Sequence, residues 1–476
     1  MSQRRLSRAT TAVLSATALA IAAVGVSLYT PEQAQAASVS YAAPKFPLAV
    51  PAGATFTRIA GPDRYTTAVA VSKHAHPDGS VHAVYIASGR NFPDALAAAP
   101  AARAKNAPIL LTDPDHLPEA VATEVRRLNP QSIFIVGGPG AVSHGVEHAL
   151  EGLIPAQQVS RIAGQNRFET AANISRASFN PGVGTVFIVV GTNFPDALSA
   201  SPIAARSAAP ILSTASHYLP GATIAELNRL RPANAVIVGG AGVISPGVAN
   251  HVRTLTDSNS VTRIGGNDRY HTSALLSRAF TPANASTVFL ATGQNFPDAL
   301  AAGPVAAASN APVLLTMSSR MQPATIEEMS RLHPDHVNVV GSTGVVSEWI
   351  GQEARYSAAD TKRFVELVND LRRGRGLQPV RLHTTLTMVS RDWAINLTSV
   401  GISHNPHYKS QSPGGWRTIG EVVAWSTVPT VDEMFNLWVN SPGHLEVMVH
   451  PSMNTVGFGM WRGNNSNYAV SVFAAY

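Results

Sequence analysis

The chain has 476 residues, of which 45% are hydrophobic and 13% are charged. This length and apolar content predict a globular protein of three or four domains and exclude a disordered chain. The formal net charge is +6, but about half of the excess lies in the first 52 residues. The remainder lacks the clustered Lys and Arg of a nucleic-acid-binding surface. The sequence has no cysteine, so disulfides do not stabilise it.

The N-terminus has the pattern of a secretory signal. Three arginines within the first eight residues precede an apolar run over about 11–28, and the small-x-small site Ala34-Gln35-Ala36 follows. This pattern predicts a signal peptide over 1–36 and a linker over 37–54. An uncleaved anchor is the alternative, because the run nearly reaches the length of a membrane span. Its Ala, Thr and Ser content favours cleavage, and we expect a secreted protein with no membrane span after cleavage.

Four motifs then recur three times. The hexapeptide Asn-Phe-Pro-Asp-Ala-Leu begins at 91, 193 and 295, at intervals of 102 residues. The other motifs are RIAG or RIGG at 58, 161 and 263, AP-[IV]-L at 107, 209 and 311, and VGG or VGS at 136, 238 and 340. A period of this length is too long for a solenoid repeat. It predicts three domain-sized repeats over 55–157, 158–259 and 260–354.

Within a repeat, strands and helices alternate. In the first repeat the branched apolar runs at 84–87, 108–111 and 132–136 indicate strands buried on both faces, and the opening RIAG segment adds another. The segments between them have helical patterns, which predicts βαβ units with a parallel sheet. Each repeated motif follows a strand and precedes a helix. The motifs should therefore meet at the carboxyl edge of the sheet, where open α/β sheets bind ligands.

The repeated carboxylates Asp94, Asp196 and Asp298 follow a proline that suits the first turn of a helix. Two interpretations remain for them. They stabilise the start of the helix through its dipole and its backbone N–H groups, or they contact a ligand or cation. The Gly137-Gly138 loop is compatible with a phosphate cradle. A full dinucleotide fingerprint is absent, which favours a tight turn.

The four motifs together resemble cell wall binding repeat 2, which commonly occurs as three tandem copies in surface proteins of Gram-positive bacteria. The resemblance covers about residues 55–352. It implies three Rossmann-like modules around a pseudo-threefold axis, which attach the protein non-covalently to anionic secondary wall polymers.

In that family a Pro-Ile-Leu-Leu segment is linked to polymer binding. The residues that correspond to it here are Pro108, Ile109, Leu110 and Leu111, then Pro210, Ile211 and Leu212, then Pro312, Val313 and Leu314. Ser213 ends the second copy and Val313 replaces Ile in the third, which puts equal binding by the three repeats in question.

Basic residues near the start of each repeat are candidate partners for an anionic polymer. They are Arg64, Arg167 and Arg269. The alternative is that each pairs with the polar residue before it, which is Asp63, Asn166 or Asp268 respectively.

A different domain is expected over 357–476. The segment 360–376 has the pattern of an amphipathic helix, a second helix is predicted over 382–399, and two strand-like segments end the chain. Three separated polar residues stand out between them: His404, Glu421 and His444.

These segments resemble the CAP superfamily (cysteine-rich secretory, antigen and pathogenesis-related proteins) in a cysteine-free bacterial form. The evidence is Asn369 and Arg372 in an NxxR first helix, the His–Glu–His order and the Ser-Pro-Gly-His turn. The resemblance implies an α-β-α sandwich whose cleft holds two His and two Glu, sometimes with a divalent metal.

The cleft pattern is incomplete in this chain. His404, Glu421 and His444 correspond to three of the four family residues, but Asn440 and Ser441 lie where the second acid is expected. Val422 replaces the asparagine that usually follows the first acid.

The three remaining cleft residues allow several chemistries. His404 and His444, with Glu421, are candidate zinc ligands, and a His–Glu pair is also a candidate general base. A hydrogen-bonded cluster in a binding cleft is the other interpretation. We expect a wall-attached surface protein that displays the CAP domain for ligand or partner binding. The alternative is a wall-tethered hydrolase that acts on peptidoglycan or protein.

Overall fold

The computed structural model describes residues 54–91, 93–154, 158–462 and 466–476. The predicted signal peptide and all but the last residue of the predicted linker lie outside this range. The described residues form two compact units, one up to Ala359 and one from Asp360 onward. Each unit has its own hydrophobic core.

The first unit contains three parallel four-stranded sheets with helices between the strands. Its strands are β1 (Thr55–Ile59), β2 (Ala83–Ser88), β3 (Ile109–Thr112), β4 (Ser132–Val136), β5 (Val159–Ile162), β6 (Thr185–Val190), β7 (Ile211–Thr214), β8 (Asn234–Val238), β9 (Ser260–Ile264), β10 (Thr287–Thr292), β11 (Val313–Thr316) and β12 (His336–Val340). The strand–helix alternation and the parallel pairing predicted from the sequence are confirmed.

The helices of this unit follow the same threefold pattern. They are α1 (Arg64–Ala75), α2 (Ala98–Ala104), α3 (Glu119–Leu128), α4 (His144–Glu151), α5 (Arg167–Ser178), α6 (Pro195–Arg206), α7 (Gly221–Leu230), α8 (Pro246–Thr254), α9 (Arg269–Phe280), α10 (Pro297–Ala308), α11 (Pro323–Leu332) and α12 (Trp349–Arg373). A short 3₁₀ turn (Ala95–Ala97) precedes α2. Helix α12 continues into the second unit from Asp360 onward.

The fourth strand of each sheet comes from a different repeat. The strand orders are β3-β2-β4-β5, β7-β6-β8-β9 and β11-β10-β12-β1. The opening strand of the second repeat therefore completes the sheet of the first, and that of the third completes the sheet of the second. Strand β1 closes the ring, because Thr55 pairs with His336 of the third repeat. We expected each opening strand in the sheet of its own repeat, and this was wrong. A local apolar pattern identifies a strand, but it does not identify which free sheet edge accepts it.

A repeated arginine holds each exchanged strand in place. The guanidinium groups of Arg161 and Arg263 each donate a hydrogen bond to a glycine carbonyl of the preceding repeat, both at 2.8 Å. Arg58 donates the equivalent bond to Gly341 at 2.6 Å. Each module is therefore completed by its neighbour.

The helices that follow the hexapeptide motif pack against one another at the centre of the unit. Helices α2, α6 and α10 are rich in alanine and belong to one core that draws residues from all three repeats. At equivalent positions they carry Ala99, Ser201 and Gly303. A Cβ placed on Gly303 would lie 3.2 Å from the Cβ atoms of both Ala99 and Ser201. These small residues let three helices meet, and the predicted pseudo-threefold arrangement is confirmed.

The second unit is an α-β-α sandwich around a mixed sheet. Besides the end of α12 it contains β13 (Arg381–Leu382), α13 (Thr384–Val400), α14 (Tyr408–Gln411), β14 (Thr418–Ser426), α15 (Val431–Val439), α16 (Pro442–Met448), β15 (Thr455–Arg462) and β16 (Asn467–Ala475). The strand order is β13-β15-β16-β14; β16 pairs antiparallel with both neighbours, and β13 pairs parallel with β15.

Side chains of β16 alternate between the two faces of this sheet, as a strand with two buried faces requires. Phe473 packs with Phe364 of α12 and Trp438 of α15, whereas Val472 packs with Leu386 of α13. Helix α13 lies very close to β15. A Cβ on Gly457 would lie 2.0 Å from a backbone atom of Leu386, so only glycine fits there.

Candidate functional site

The carboxyl edges of the three sheets bring the repeated motifs together, as predicted. At each edge, the guanidinium of one candidate arginine donates a hydrogen bond to a glycine carbonyl. This glycine follows the second strand of the same repeat. The bonds join Arg64 to Gly89 at 2.5 Å, Arg167 to Gly191 at 2.7 Å and Arg269 to Gly293 at 2.5 Å. All three arginines are partly buried.

The residues before these arginines, which were the alternative partners, have another role. Asp63, Asn166 and Asp268 cap the helices α1, α5 and α9 instead. Their side-chain oxygens accept backbone N–H bonds of the first turn, for example from Thr66 at 2.8 Å and from His271 at 2.7 Å. Free N–H groups at a helix start are strong donors, so capping takes precedence over a surface ion pair.

The repeated carboxylates lie at the junctions between repeats. Asp196 and Asp298 occupy the first helical turn, as predicted, and Asp94 precedes the 3₁₀ turn. Burial raises the pKa of Asp94, and Thr170 and Arg167 of the next repeat partly offset this effect.

The other two carboxylates behave in the same way. Burial raises the pKa of Asp196, which the charge of Arg269 and a hydrogen bond from Thr272 partly offset. Burial raises the pKa of Asp298 to about 6, and the charge of Arg64 in the first repeat opposes this shift. Each carboxylate thus interacts with the arginine of the following repeat around the ring.

The first glycine of each VGG or VGS loop is required by these carboxylates. Gly137, Gly239 and Gly341 have φ angles of +102°, +117° and +114°. A Cβ on Gly137 would lie 2.9 Å from a carboxylate oxygen of Asp94. The corresponding distances are 2.8 Å from Gly239 to Asp196 and 2.7 Å from Gly341 to Asp298. The loop is therefore a tight turn packed on a carboxylate, as the sequence favoured over a phosphate cradle.

The Pro-Ile-Leu-Leu segments form the strands β3, β7 and β11 and are buried. Ile109, Leu110 and Leu111 are at most 1% exposed. The other residues implied as polymer contacts are buried as well: Pro108, Pro210, Ile211, Leu212, Pro312, Val313 and Leu314. In this conformation their side chains form the core, and they place the loop that follows each strand at the carboxyl edge.

Those loops contain a position that the sequence motifs did not reveal. The threonine that ends each strand bonds through its hydroxyl to the carbonyl of the residue four positions later. The bonds run from Thr112 to His116 at 3.2 Å, from Thr214 to Tyr218 at 3.1 Å and from Thr316 to Arg320 at 2.9 Å. We call residues 116, 218 and 320 the edge position. Its backbone is the same in all repeats, and its side chain is not.

A charged cluster surrounds the edge position of the first repeat. The buried carboxylate of Asp113 binds Arg90 at 2.7 Å and His116 at 3.0 Å, and it accepts a bond from Tyr65 at 3.2 Å. The side chains of Arg90 and His116 are 62% and 70% exposed. Asp113 therefore orients two nitrogen-rich side chains toward solvent.

In the second unit, the sandwich brings the predicted cleft residues together. The imidazole of His404 lies 2.8 Å from the carboxylate of Glu421 on β14, and the same oxygen accepts the backbone N–H of Asn405 at 2.9 Å. Glu421 is 1% exposed. Burial raises the pKa of Glu421, and the bonds from His404 and Asn405 partly offset this.

His444 completes the cleft from α16. It is 5% exposed, and burial together with the charge of His404 lowers its pKa to about 4. Its imidazole is therefore neutral at neutral pH. Within the described residues, Nε2 of His444 and Oε1 of Glu421 have no hydrogen-bond partner, although both are buried. Such atoms are available to a ligand.

Asn369 and Arg372 of the NxxR motif anchor the segments around the cleft. Arg372 is fully buried and donates to the carbonyl groups of Met448, the last residue of α16, at 2.9 Å and of Met453 at 2.8 Å. Asn369 exchanges two hydrogen bonds with Val380. The bonds of Arg372 hold the end of the helix that carries His444. By contrast, His407 is exposed.

The metal hypothesis concerns the same three side chains. No group of three or more His, Cys, Asp or Glu side chains in the described ranges is arranged to hold a metal ion. Zinc binding by His404, Glu421 and His444 stays a prediction. The described helices also include none that is long and apolar enough to cross a membrane.

Three parallel-sheet modules around a common axis, together with an α-β-α sandwich that has a His–Glu–His cleft, define a modular class of protein. The chain belongs to the cell wall binding domain 2 (CWB2) family, whose profile matches residues 58–147, 161–249 and 263–350. Residues 365–475 match the profile of the cysteine-rich secretory protein (CAP) family. Both resemblances stated from the sequence are confirmed.

The chain spans about 50–60% of the length of the known proteins that it resembles. The solved structure of Cwp8 from Clostridium difficile is 30% identical with a TM-score of 0.58, and the match covers 64% of this chain and 51% of Cwp8. Cwp6 from the same organism is 25% identical with a TM-score of 0.57, over 68% of this chain and 50% of Cwp6. The N-acetylmuramoyl-L-alanine amidase LytC of Bacillus subtilis is 29% identical over 65% of this chain and 60% of its own length.

Proposed function

We propose that this protein is a surface protein held non-covalently at the cell wall by its three repeats, with the CAP domain displayed for ligand or partner binding. We further propose that each repeat binds an anionic secondary wall polymer at the carboxyl edge of its sheet. The observation that carries this proposal is the threefold recurrence of one edge, with the same loop backbone, on a closed ring of modules.

The closed ring suits a repeating polymer. Exchanged strands and the arginine–glycine bonds tie each module to the next, so the three edges form one body. Once one edge has bound the polymer, the other two edges bind neighbouring units of the same polymer chain. These further binding steps are intramolecular. Avidity then exceeds the affinity of a single edge by a factor of about 10²–10⁴ without any strong individual site.

The edges present few cationic groups to an anionic ligand. The candidate arginines are engaged with glycine carbonyls and with the carboxylates of neighbouring repeats, so they present little free charge. Arg90 and His116 in the first repeat are exposed and oriented. Because few cationic groups are available, we expect moderate rather than steep dependence of binding on salt.

A sedimentation experiment tests wall attachment. The full chain is mixed with protein-free sacculi of the producing bacterium, either intact or extracted with hydrofluoric acid to remove secondary polymers. We expect the protein to sediment with intact sacculi and to remain in solution with extracted ones. Equal binding to both would show that peptidoglycan itself, and not the secondary polymer, is the ligand.

For the CAP domain we propose a ligand-binding cleft. Its support is the pair of buried atoms without a hydrogen-bond partner in the described chain, Nε2 of His444 and Oε1 of Glu421. A ligand that donates to the carboxylate and bonds to the imidazole would satisfy both, and burying such groups unsatisfied is costly.

A hydrolase is the second candidate, because a carboxylate-bound imidazole such as His404 is the arrangement of a general base. Peptidoglycan and casein hydrolysis by the full chain, compared with His404→Gln, discriminates the two. Hydrolysis that disappears in the variant while calorimetry shows an unchanged fold would establish an enzyme. No hydrolysis by the folded wild type supports the binding cleft.

A further inference from the structure

We propose that Tyr218 is a stacking platform for a sugar ring, so that the second repeat recognises the wall polymer through ring packing while the other two edges use polar side chains. This inference rests on the proposed wall-polymer function and adds the specificity-determining residue of one site. It concerns a residue outside the four repeated motifs.

Hydrogen bonds fix the backbone of the loop that carries Tyr218. The hydroxyl of Thr214 bonds to the carbonyl groups of Ala215 and Tyr218, both at 3.1 Å. The carbonyl of Ser216 accepts the backbone N–H of Ser245 at 2.8 Å, which ties this loop to the turn that follows β8. A loop whose backbone is already fixed loses little backbone entropy when its side chain binds a ligand.

The Tyr218 side chain faces solvent. It is 62% exposed, the largest value among the large hydrophobic side chains of the described residues. The flanking residues on the same edge, Thr192, Asn193 and His217, are exposed and polar. An apolar ring beside hydrogen-bonding groups matches a pyranose, which has C–H groups on its faces and hydroxyl groups around its rim. Tyrosine serves such amphipathic contacts because its ring is rigid and its hydroxyl is polar.

The same position differs in the other repeats. His116 is held by the buried carboxylate of Asp113. Arg320 contacts the sulfur of Met317 through its Nε at 3.4 Å. In the second repeat the residue equivalent to Asp113 and Met317 is Ala215, whose methyl side chain cannot form either contact. The loop therefore retains its backbone while the recognition chemistry changes from imidazole to phenol to guanidinium.

Single substitutions in the full chain test this proposal. Tyr218→Ala removes the ring, Tyr218→Phe keeps it, and His116→Ala is the matched control at the edge position of the first repeat. Both residues are exposed, so the fold should persist, and circular dichroism and calorimetry verify it. Binding to protein-free sacculi is measured by sedimentation at about 50 mM and about 500 mM salt, where screening of charges differs strongly.

We expect Tyr218→Ala to weaken binding by roughly five- to tenfold, the range of an aromatic contact that contributes substantially to binding. The factor should be the same at both salt concentrations, because ring packing is not electrostatic. Tyr218→Phe should stay within twofold of the wild type. His116→Ala removes the side chain at the first edge and is compared at the same two salt concentrations.

Two results would overturn the proposal. One is a wild type that binds sacculi together with a Tyr218→Ala variant that binds equally well. The other is a Tyr218→Phe variant as weak as Tyr218→Ala, which would assign the contact to the hydroxyl. If the wild type itself does not bind sacculi, the wall-polymer function fails, and the role of Tyr218 fails with it.

Discussion

Arg58 donates a hydrogen bond from Nη1 to the carbonyl oxygen of Gly341 at 2.6 Å, and this bond joins the first repeat to the third. It lies beside the pairing of β1 with β12, so the start of the first repeat completes the last sheet. The three repeats are therefore a closed ring and not a linear array. Stability and polymer binding both depend on this closure, since no repeat supplies all four strands of a sheet.

The centre of the ring should not tolerate a large side chain at Gly303. A leucine there would meet Ala99 and Ser201, so we expect Gly303→Leu to lower the free energy of unfolding by about 1–3 kcal/mol or more. Gly303→Ala should change it by less than about 1 kcal/mol, because the gain in helix propensity offsets the contact. Denaturant unfolding of the full chain measures both effects.

A compensating substitution provides the control. Adding Ala99→Gly to Gly303→Leu returns space at the axis and should recover part of the lost stability. If Gly303→Leu is as stable as the wild type, helices α2, α6 and α10 do not meet as described.

The stability of the repeats should depend on the ionisation of Asp298. The pKa of Asp298 is raised to about 6 in the folded protein, above its value in an unfolded chain. The folded state thus binds the proton more tightly, and its stability decreases as the pH rises from about 4 to about 6. The shift corresponds to about 3 kcal/mol at most, by the linkage relation.

Asp298→Asn removes this titration. We expect the stability of the variant relative to the wild type to increase between pH 4 and pH 7, measured by denaturant unfolding across that range. Asp63→Asn, at an exposed helix cap, is the matched control. A flat difference for Asp298→Asn would mean that its carboxyl group is not held in a buried junction.

The CAP domain should respond to acid in the opposite direction. The pKa of His444 is lowered to about 4, so the unfolded chain binds the proton more readily than the folded domain does. This contribution to stability is full above about pH 6.5 and is lost as the pH falls through about 4. It amounts to about 3 kcal/mol at most.

Calorimetry from pH 7 to pH 4 measures this loss in the transition of the CAP domain. His444→Gln should reduce the acid sensitivity of that transition and leave the transition of the repeats unchanged. His407→Gln, a change of an exposed histidine, is the matched control. Equal acid sensitivity of the wild type and His444→Gln would contradict the buried, neutral imidazole.

Arg372 should be essential for the CAP fold. Its guanidinium satisfies carbonyl groups that include those of Met448 and Met453, and Arg372→Ala leaves them buried without donors. We expect a loss of about 3–5 kcal/mol in the CAP transition. Arg372→Lys should recover only part of it, because a single ammonium cannot reach the dispersed acceptors. The exposed Arg375, changed to Ala, should alter stability by less than about 0.5 kcal/mol.

Much of the architecture could be predicted because its signals are local. Apolar runs and helix-start residues identify strands and helices, and the identical hexapeptides at 91, 193 and 295 indicate three equivalent modules. The motifs around His404, Glu421 and His444 likewise predicted the cleft of the sandwich. The wall association was predicted from the family resemblance, because composition alone does not indicate it.

The sequence did not determine which distant residues lie together in the fold. The sequence could not show that the opening strand of each repeat completes the preceding sheet, or that Asp298 faces Arg64. The Pro-Ile-Leu-Leu segments were expected to contact the polymer, and the fold buries them. It exposes Tyr218 instead, a residue in no repeated motif. A local pattern indicates which secondary structure a segment can form. Burial and strand pairing depend instead on which surfaces the folded chain brings together and which it leaves exposed to solvent.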